Sequence, residues 1–243
     1  MTPPRLRIFA GPNGSGKSTL NAIINKDLLG IYINADDLEK NINTIGYLDF
    51  SPYPFKTMED VLFNFLQCHP LIAKANLLEE IKKLTFKDNR LYFTNVALNS
   101  YFTSVCADYI RHRLLDNRIS FTFETVMSSA DKVYFMNKAK NAGYRVYLYY
   151  IATEDPIINI SRVQNRVQKG GHFVPEDKIK NRYYRSLELL REAVSYSNRA
   201  YIFDNSQSKK VWLAEITDAK NIDLKSEYSS LRFLDLTHYL IIF

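Results

Sequence analysis

Residues 11–18 read Gly11-Pro12-Asn13-Gly14-Ser15-Gly16-Lys17-Ser18 and meet the spacing G-x-x-x-x-G-K-S. No other stretch limits the fold as tightly. The glycines let the backbone wrap a phosphate with its own N–H groups, and the helix that follows points its positive end at the same anion. The lysine reaches the outer phosphates and the serine hydroxyl ligates magnesium. This geometry needs a strand before the loop and a helix after it. Arg5–Ala10 reads as that strand, and a helix is expected from Gly16 to about Leu28. A chance match in a glycine loop is the alternative, and this context opposes it. The ligand implied is a nucleoside triphosphate, ATP or GTP, with Mg2+.

Four further segments read as strands: Gly30–Asn34, Ile119–Glu124, Arg145–Ala152 and Arg199–Phe203. Helical stretches separate them, so an α/β fold is expected, a three-layer P-loop kinase-like sandwich around a mostly parallel five-stranded sheet. In such sheets ligands bind beyond the carboxyl ends of the strands, and here polar residues follow each strand at that end. Asp155-Pro156 caps a helix that runs to Gln168 and stops at Gly170-Gly171. Another helix is expected over Glu176–Tyr196. Ser51-Pro52-Tyr53-Pro54 is a turn or an extended stretch, while Thr57–Gln67 and Pro70–Leu84 look helical. Residues 50–100 are therefore expected as a helical insertion in one domain spanning 1–243, with 207–243 an unassigned extension. A chain of 243 residues can bury a sizeable core.

Lys plus Arg number 32 against 26 Asp plus Glu, a net charge of +6. That suits a handler of phosphates and an ordinary basic protein equally, and is too small to argue for a nucleic-acid partner. Cys68 and Cys106 show no metal-type spacing and read as free thiols of a reducing cytoplasm. A cleavable leader would destroy the glycine loop, and no apolar run is long enough to span a bilayer. A cytoplasmic protein with no membrane partner is expected.

The remaining candidates lie where strands end. Asn34-Ala35-Asp36-Asp37 closes the second strand. One of its aspartates is placed to accept a proton from an attacking hydroxyl, and the other to cap the following helix. Glu124, at the end of the third strand, orders magnesium or holds a substrate hydroxyl, or is a solvated strand end. Arg162 and Arg166 share a helix face, and Arg182 and Arg185 follow on the next helix. They either clamp a transferring phosphoryl group or form a solvated basic face. His172 shapes a loop rather than binding a metal, since no second ligand stands at metal spacing.

Together these residues resemble the zeta toxin family of small-molecule kinases. The resemblance rests on residues 11–19, Asn34-Ala35-Asp36-Asp37, Phe123-Glu124-Thr125, Gly143-Tyr144, Arg162-Val163, Arg166-Val167, Gly170-Gly171-His172, Val174-Pro175-Glu176, Arg182-Tyr183 and Asp204-Asn205-Ser206. It implies transfer of a γ-phosphate from ATP or GTP to the 3′-hydroxyl of the N-acetylglucosamine in a UDP-sugar, by a toxin that a small antitoxin protein restrains. By position Asp36 matches the catalytic acid, Lys17 and Arg162 act on the phosphates, and Gly11 to Thr19 with Asn205 bind the nucleotide. Glu124, Thr125, Asp108 and Arg182 fall at substrate positions. The second clamping arginine is not fixed by spacing, and Arg166 or Arg182 takes that place. Residues 49–99 do not follow the shorter relatives. A kinase for another small acceptor and a nucleotide-hydrolysing, partner-binding ATPase are the other functions the motifs allow.

Overall fold

Chain order is β1 (Arg5–Ala10), α1 (Lys26–Leu29), β2 (Ile31–Ile33), α2 (Ala35–Ile45), β3 (Tyr47–Asp49), α3 (Glu59–Cys68), α4 (Pro70–Lys74) and α5 (Leu78–Ile81). Then follow β4 (Thr85–Lys87), β5 (Arg90–Tyr92), α6 (Ser100–Asp116), β6 (Phe121–Thr125), α7 (Ala130–Asn141) and β7 (Arg145–Ala152). The chain continues through α8 (Pro156–Gln168), α9 (Glu176–Glu188), α10 (Leu190–Ser195), β8 (Arg199–Asp204), β9 (Val211–Thr217) and β10 (Asn221–Leu224). The structure, a computed structural model, describes residues 2–225 apart from Ile23 and His172. It divides into two compact units, Met1–Gly30 with Thr122–Phe243, and Ile31–Phe121.

In the first unit the strands lie in the order β10-β9-β8-β7-β1-β6. β1 runs parallel to β7, with Ala10 opposite Tyr150, and β7 parallel to β8, with Ala152 opposite Asp204. The carboxyl ends of these three strands therefore meet at one rim, where the chain continues as Gly11, Thr153 and Asn205. Leu6, Ile8, Leu148, Tyr150, Ala200 and Ile202 are wholly buried, because strands covered on a face must be apolar there. β9 and β10 extend the sheet antiparallel, with a register shift between Ile202 and Phe203. These strands come from the stretch beyond residue 207 that the sequence leaves unassigned, so the sheet is wider than five strands. Residues 226–243 lie outside the described residues.

The helix expected from Gly16 to Leu28 is broken. Lys17–Ala22 forms a 3-10 helix, and Asn25 starts a new helix, α1, by accepting from the Asp27 N–H at 3.0 Å. An Asn side chain that caps a new turn competes with continuation of the old one. The expected helix over Glu176–Tyr196 is likewise divided into α9 and α10.

The second unit is not only helical. β3, β5 and β4 form a small antiparallel sheet. β4 and β5 are joined by Asp88 and Asn89, both with positive φ, 52° and 59°. Such pairs make the tight hairpin turn whose twist suits the flanking strands. Ten residues of α6 are buried, among them Phe102, Val105, Ile110 and Leu114. The Tyr109 ring of this helix meets Phe50 at 5.7 Å, Phe65 at 5.4 Å and Phe55 at 6.4 Å, all near edge-to-face. Each such pair adds roughly 0.5–1.5 kcal/mol beyond area burial.

Candidate active site

The glycine loop leaves the buried end of β1 and is pinned by its own neighbours. Gly14 has φ +75°, and a Cβ there would lie 2.6 Å from the Asn159 carbonyl oxygen. Gly16 has φ +92°, and a Cβ there would strike the Asn205 amide. Both positions thus require glycine for conformation and for space. The Asn205 Nδ2–H donates to the Ser15 carbonyl at 2.7 Å, and the Asn159 Nδ2–H to the Asn13 carbonyl at 2.6 Å. Asn159 is wholly buried and takes a hydrogen bond from the Thr153 hydroxyl. The loop is therefore braced from the ends of β7 and β8 and from α8.

Lys17 is 7% exposed, and its ammonium donates to the Gly11 carbonyl at 2.8 Å and the Pro12 carbonyl at 2.9 Å. These bonds hold a positive charge against the start of the loop. The Ser18 hydroxyl lies 3.2 Å from each Glu124 carboxylate oxygen. A hydroxyl beside a carboxylate is an all-oxygen donor set of the kind Mg2+ takes, with waters and phosphate oxygens completing its shell. The residues present therefore fit the ion. The Thr19 hydroxyl donates to the Gly16 carbonyl at 2.7 Å. Thr125, next to Glu124 on β6, accepts the Met127 N–H at 3.0 Å and so shapes the turn after the strand.

The arginines separate. Arg162 is half-buried and donates to the Asn205 carbonyl at 2.6 Å and the Ser206 carbonyl at 3.4 Å. Arg182 is half-buried and reaches the Asn13 side-chain oxygen at 3.4 Å. Arg166 is exposed near the end of α8, and its carbonyl accepts the Gly171 N–H. Arg185 is exposed on α9. Arg162 and Arg182 thus stand with the loop. His172 lies outside the described residues.

Asp36, Asp37 and Asp108 belong to the Ile31–Phe121 unit. The expected split between one catalytic and one capping aspartate needs correction. Asn34 is the cap of α2, accepting the Asp36 N–H at 2.9 Å, and both aspartates are exposed in the first turn. Asp108 is 14% exposed and lies between two side chains. His69 Nε2 is 3.1 Å from one of its oxygens, and the Arg111 guanidinium donates to the other. His69 Nδ1 accepts the Leu71 N–H at 3.1 Å, so Nε2 carries the proton that points at Asp108. These contacts give Asp108 a task inside its own unit.

Sequence reasoning missed Asn159, Thr153 and Lys210. Lys210 donates to the Thr19 hydroxyl at 2.8 Å. No local pattern marks Asn159 on a helix. Its only signal is an amide on the apolar side of α8, between Ile158 and Ile160.

Comparison with known proteins places the chain in a family. The Zeta toxin family profile matches residues 88–217. A Haemophilus influenzae protein described as uncharacterized is 26% identical over 175 residues, 72% of this chain and 89% of its own length. The AvrRxo1-ORF1:AvrRxo1-ORF2 crystal structure with sulphate ions superposes with a TM-score of 0.56 at 13% identity, covering 99% of this chain and 65% of that one. The same pair crystallised with ATP gives a TM-score of 0.56 at 12% identity, with the same coverage of 99% and 65%. This chain thus spans just under two thirds of the AvrRxo1 chain. A structure of the PezAT chromosomal toxin-antitoxin system of Streptococcus pneumoniae gives 0.51 at 16% identity, covering 98% of this chain and 86% of that one. At these identities the structural likeness is one of fold.

Proposed function

The chain belongs to the zeta toxin family, and on that premise we propose that it transfers the γ-phosphate of ATP or GTP to a sugar hydroxyl of a UDP-amino sugar such as UDP-N-acetylglucosamine. The observation that carries the reading is the loop itself. Lys17 is anchored on the Gly11 and Pro12 carbonyls, and Ser18 stands against Glu124, at the rim where β1, β7 and β8 end. Family membership and the kinase-like fold support phosphotransfer over simple nucleotide storage. The ATP in the AvrRxo1 crystal and the antitoxin of the PezAT system belong to those proteins. They support, for this chain, a nucleoside triphosphate and an antitoxin partner.

The chemistry balances without a redox partner. The acceptor oxygen forms a bond to the γ-phosphorus, the bond from that phosphorus to the β–γ bridging oxygen breaks, and the nucleoside diphosphate leaves with the electron pair. The acceptor's proton passes to a carboxylate. The family motif assigns that role to Asp36, whose exposed side chain in the first turn of α2 supports it. Glu124, Thr125 and Arg182 are assigned to the acceptor. Lys17 and Arg162, with Arg166 or Arg182, neutralise charge that spreads over the transferring group. Ser18, beside Glu124, would hold a magnesium ion, which would supply screening of phosphate charge.

The test is a transfer assay with ATP and a panel of UDP-sugars, read by product mass. The expected result is one added phosphoryl group on a UDP-amino sugar, together with slowed growth on bacterial expression that Lys17→Ala abolishes. Turnover of ATP with no phosphorylated UDP-sugar and harmless expression would remove the sugar-nucleotide and toxin readings, leaving a kinase for another acceptor or a nucleotide-hydrolysing ATPase.

A further inference from the structure

Lys210 ends the turn that links β8 to β9. It is half-buried, and burial alone shifts its pKa, downward. No carboxylate pairs with it among the described residues; its hydrogen-bond partner is the neutral Thr19 hydroxyl, 2.8 Å away. A partly desolvated ammonium without a counter-charge is costly, and proteins keep one mainly where an anion comes to it. Some described lysines do have an acid close by, as Lys82 has Glu79 at 2.6 Å and Lys83 has Glu80 at 2.7 Å.

The turn is tied to the glycine loop at both ends. At its start Asn205 donates to the Ser15 carbonyl at 2.7 Å, and Arg162 donates to the Asn205 carbonyl at 2.6 Å. At its end Lys210 holds Thr19, whose hydroxyl in turn holds Gly16. Lys17 faces the other side, toward Gly11 and Pro12 at the start of the loop. The two ammonium groups therefore approach the loop from opposite ends. Lys17, by its motif position, serves the outer phosphates, and the loop backbone cradles the inner ones.

We propose that Lys210 is a second phosphate-binding cation of the nucleotide site, contacting the inner phosphates of a nucleoside di- or triphosphate while Lys17 serves the outer end. This rests on the phosphotransferase reading of the glycine loop. An anionic oxygen replaces the Thr19 hydroxyl as the acceptor of the Lys210 ammonium, exchanging a neutral acceptor for a charged one. The inner phosphates carry no bond change in transfer, so the contribution is the same in ground and transition states. It is uniform binding, which lowers KM and leaves kcat alone.

The experiment is calorimetric binding of Mg·ADP and Mg·ATP to the full chain and its variants, with ligand-free thermal melts and steady-state kinetics beside it. Lys210→Gln is expected to weaken both nucleotides by the same factor, about tenfold for loss of one charge-assisted bond. Its KM for ATP rises by that factor, its kcat stays within about twofold, and Lys210→Arg recovers most of the affinity. Lys210→Met, which keeps the apolar stem, is expected to behave as Lys210→Gln does and serves should that variant fold poorly. Unchanged affinities in Lys210→Gln alongside a loss in Lys17→Ala overturn the role of Lys210 and leave the P-loop reading standing. A loss confined to ATP places Lys210 at the outer phosphate and overturns the assignment. A wild-type chain that binds neither nucleotide overturns the P-loop reading and this inference with it.

Discussion

Around the glycine loop, in the unit formed by Met1–Gly30 and Thr122–Phe243, cations rest on neutral oxygens. Lys17 donates to the Gly11 and Pro12 carbonyls, Arg162 to those of Asn205 and Ser206, and Lys210 to the Thr19 hydroxyl. In the Ile31–Phe121 unit charges meet charges. Asp108 takes Arg111, and Asp49 takes Arg90. A carbonyl orients a cation without cancelling its charge. An ion pair spends both charges on the fold. The same residue types thus serve the loop in one place and the fold in the other, and substitutions should separate the two.

The largest effect is expected at Lys17. Lys17→Ala should lower kcat about 10²–10³-fold, the usual loss when one preorganised donor to a charged transition state is removed. The melting temperature of the ligand-free protein should move by only a few degrees. Unchanged turnover would break the comparison at its first term, because Lys17 would then be as structural as any ion-paired residue.

Next comes Arg111, 5% exposed beside Asp108. Arg111→Met keeps the volume and removes the charge. It should destabilise the protein by about 3 kcal/mol, the lower end for a broken buried pair, because His69 still holds one carboxylate oxygen. Urea unfolding measures this. In the folded variant, Mg·ADP affinity should stay within about twofold of the wild type. An affinity that falls in step with stability would mean that the second unit's charges also serve the nucleotide.

What the sequence disclosed follows the same division. The glycine loop was legible because each of its residues answers to a local requirement: positive φ at Gly14 and Gly16, an ammonium at Lys17, a hydroxyl at Ser18. β1 and β7 were legible to the residue, since β1 ends in the apolar run Ile8-Phe9-Ala10 and β7 is aliphatic or aromatic from Val146 to Ala152. The β3-β5-β4 sheet was not, because strands of three residues are too short to show a period of two. Its one signal was Asp88-Asn89, two residues that tolerate positive φ between Lys87 and Arg90. The Asn34 cap was overlooked because Asp36 and Asp37 are equally good cap residues, and only backbone geometry decides between them. Lys210 has no motif at all. Its place beside Thr19 depends on β9 folding back antiparallel on β8, a contact separated by 191 residues in sequence.

The smallest effect is expected at Asp49, at the end of β3, and it tests whether ion pairs in the second unit are as important at its surface as in its interior. The Asp49 carboxylate accepts the Ser51 N–H at 2.8 Å and lies 3.3 Å from Arg90 Nε. Its pKa is lowered, first by the Ser51 backbone hydrogen bond, with Arg90 contributing less. A depressed folded-state pKa means that the carboxylate stabilises the fold above its unfolded value near 3.8 and loses that contribution as pH falls through the lower folded value. Because the side chain is 29% exposed, solvent screening discounts the gain to about 0.5 kcal/mol. Asp49→Asn should therefore shift the urea midpoint slightly at pH 7, and the difference from wild type should vanish as the pH is taken well below the unfolded value. Added salt should remove little of it at pH 7, since the larger part is a hydrogen bond to Ser51 rather than the charge of Arg90. A difference that disappears in salt would reverse that ranking and make Arg90 the principal partner. A difference that persists unchanged at low pH would show that the carboxyl acts through its shape and not its charge.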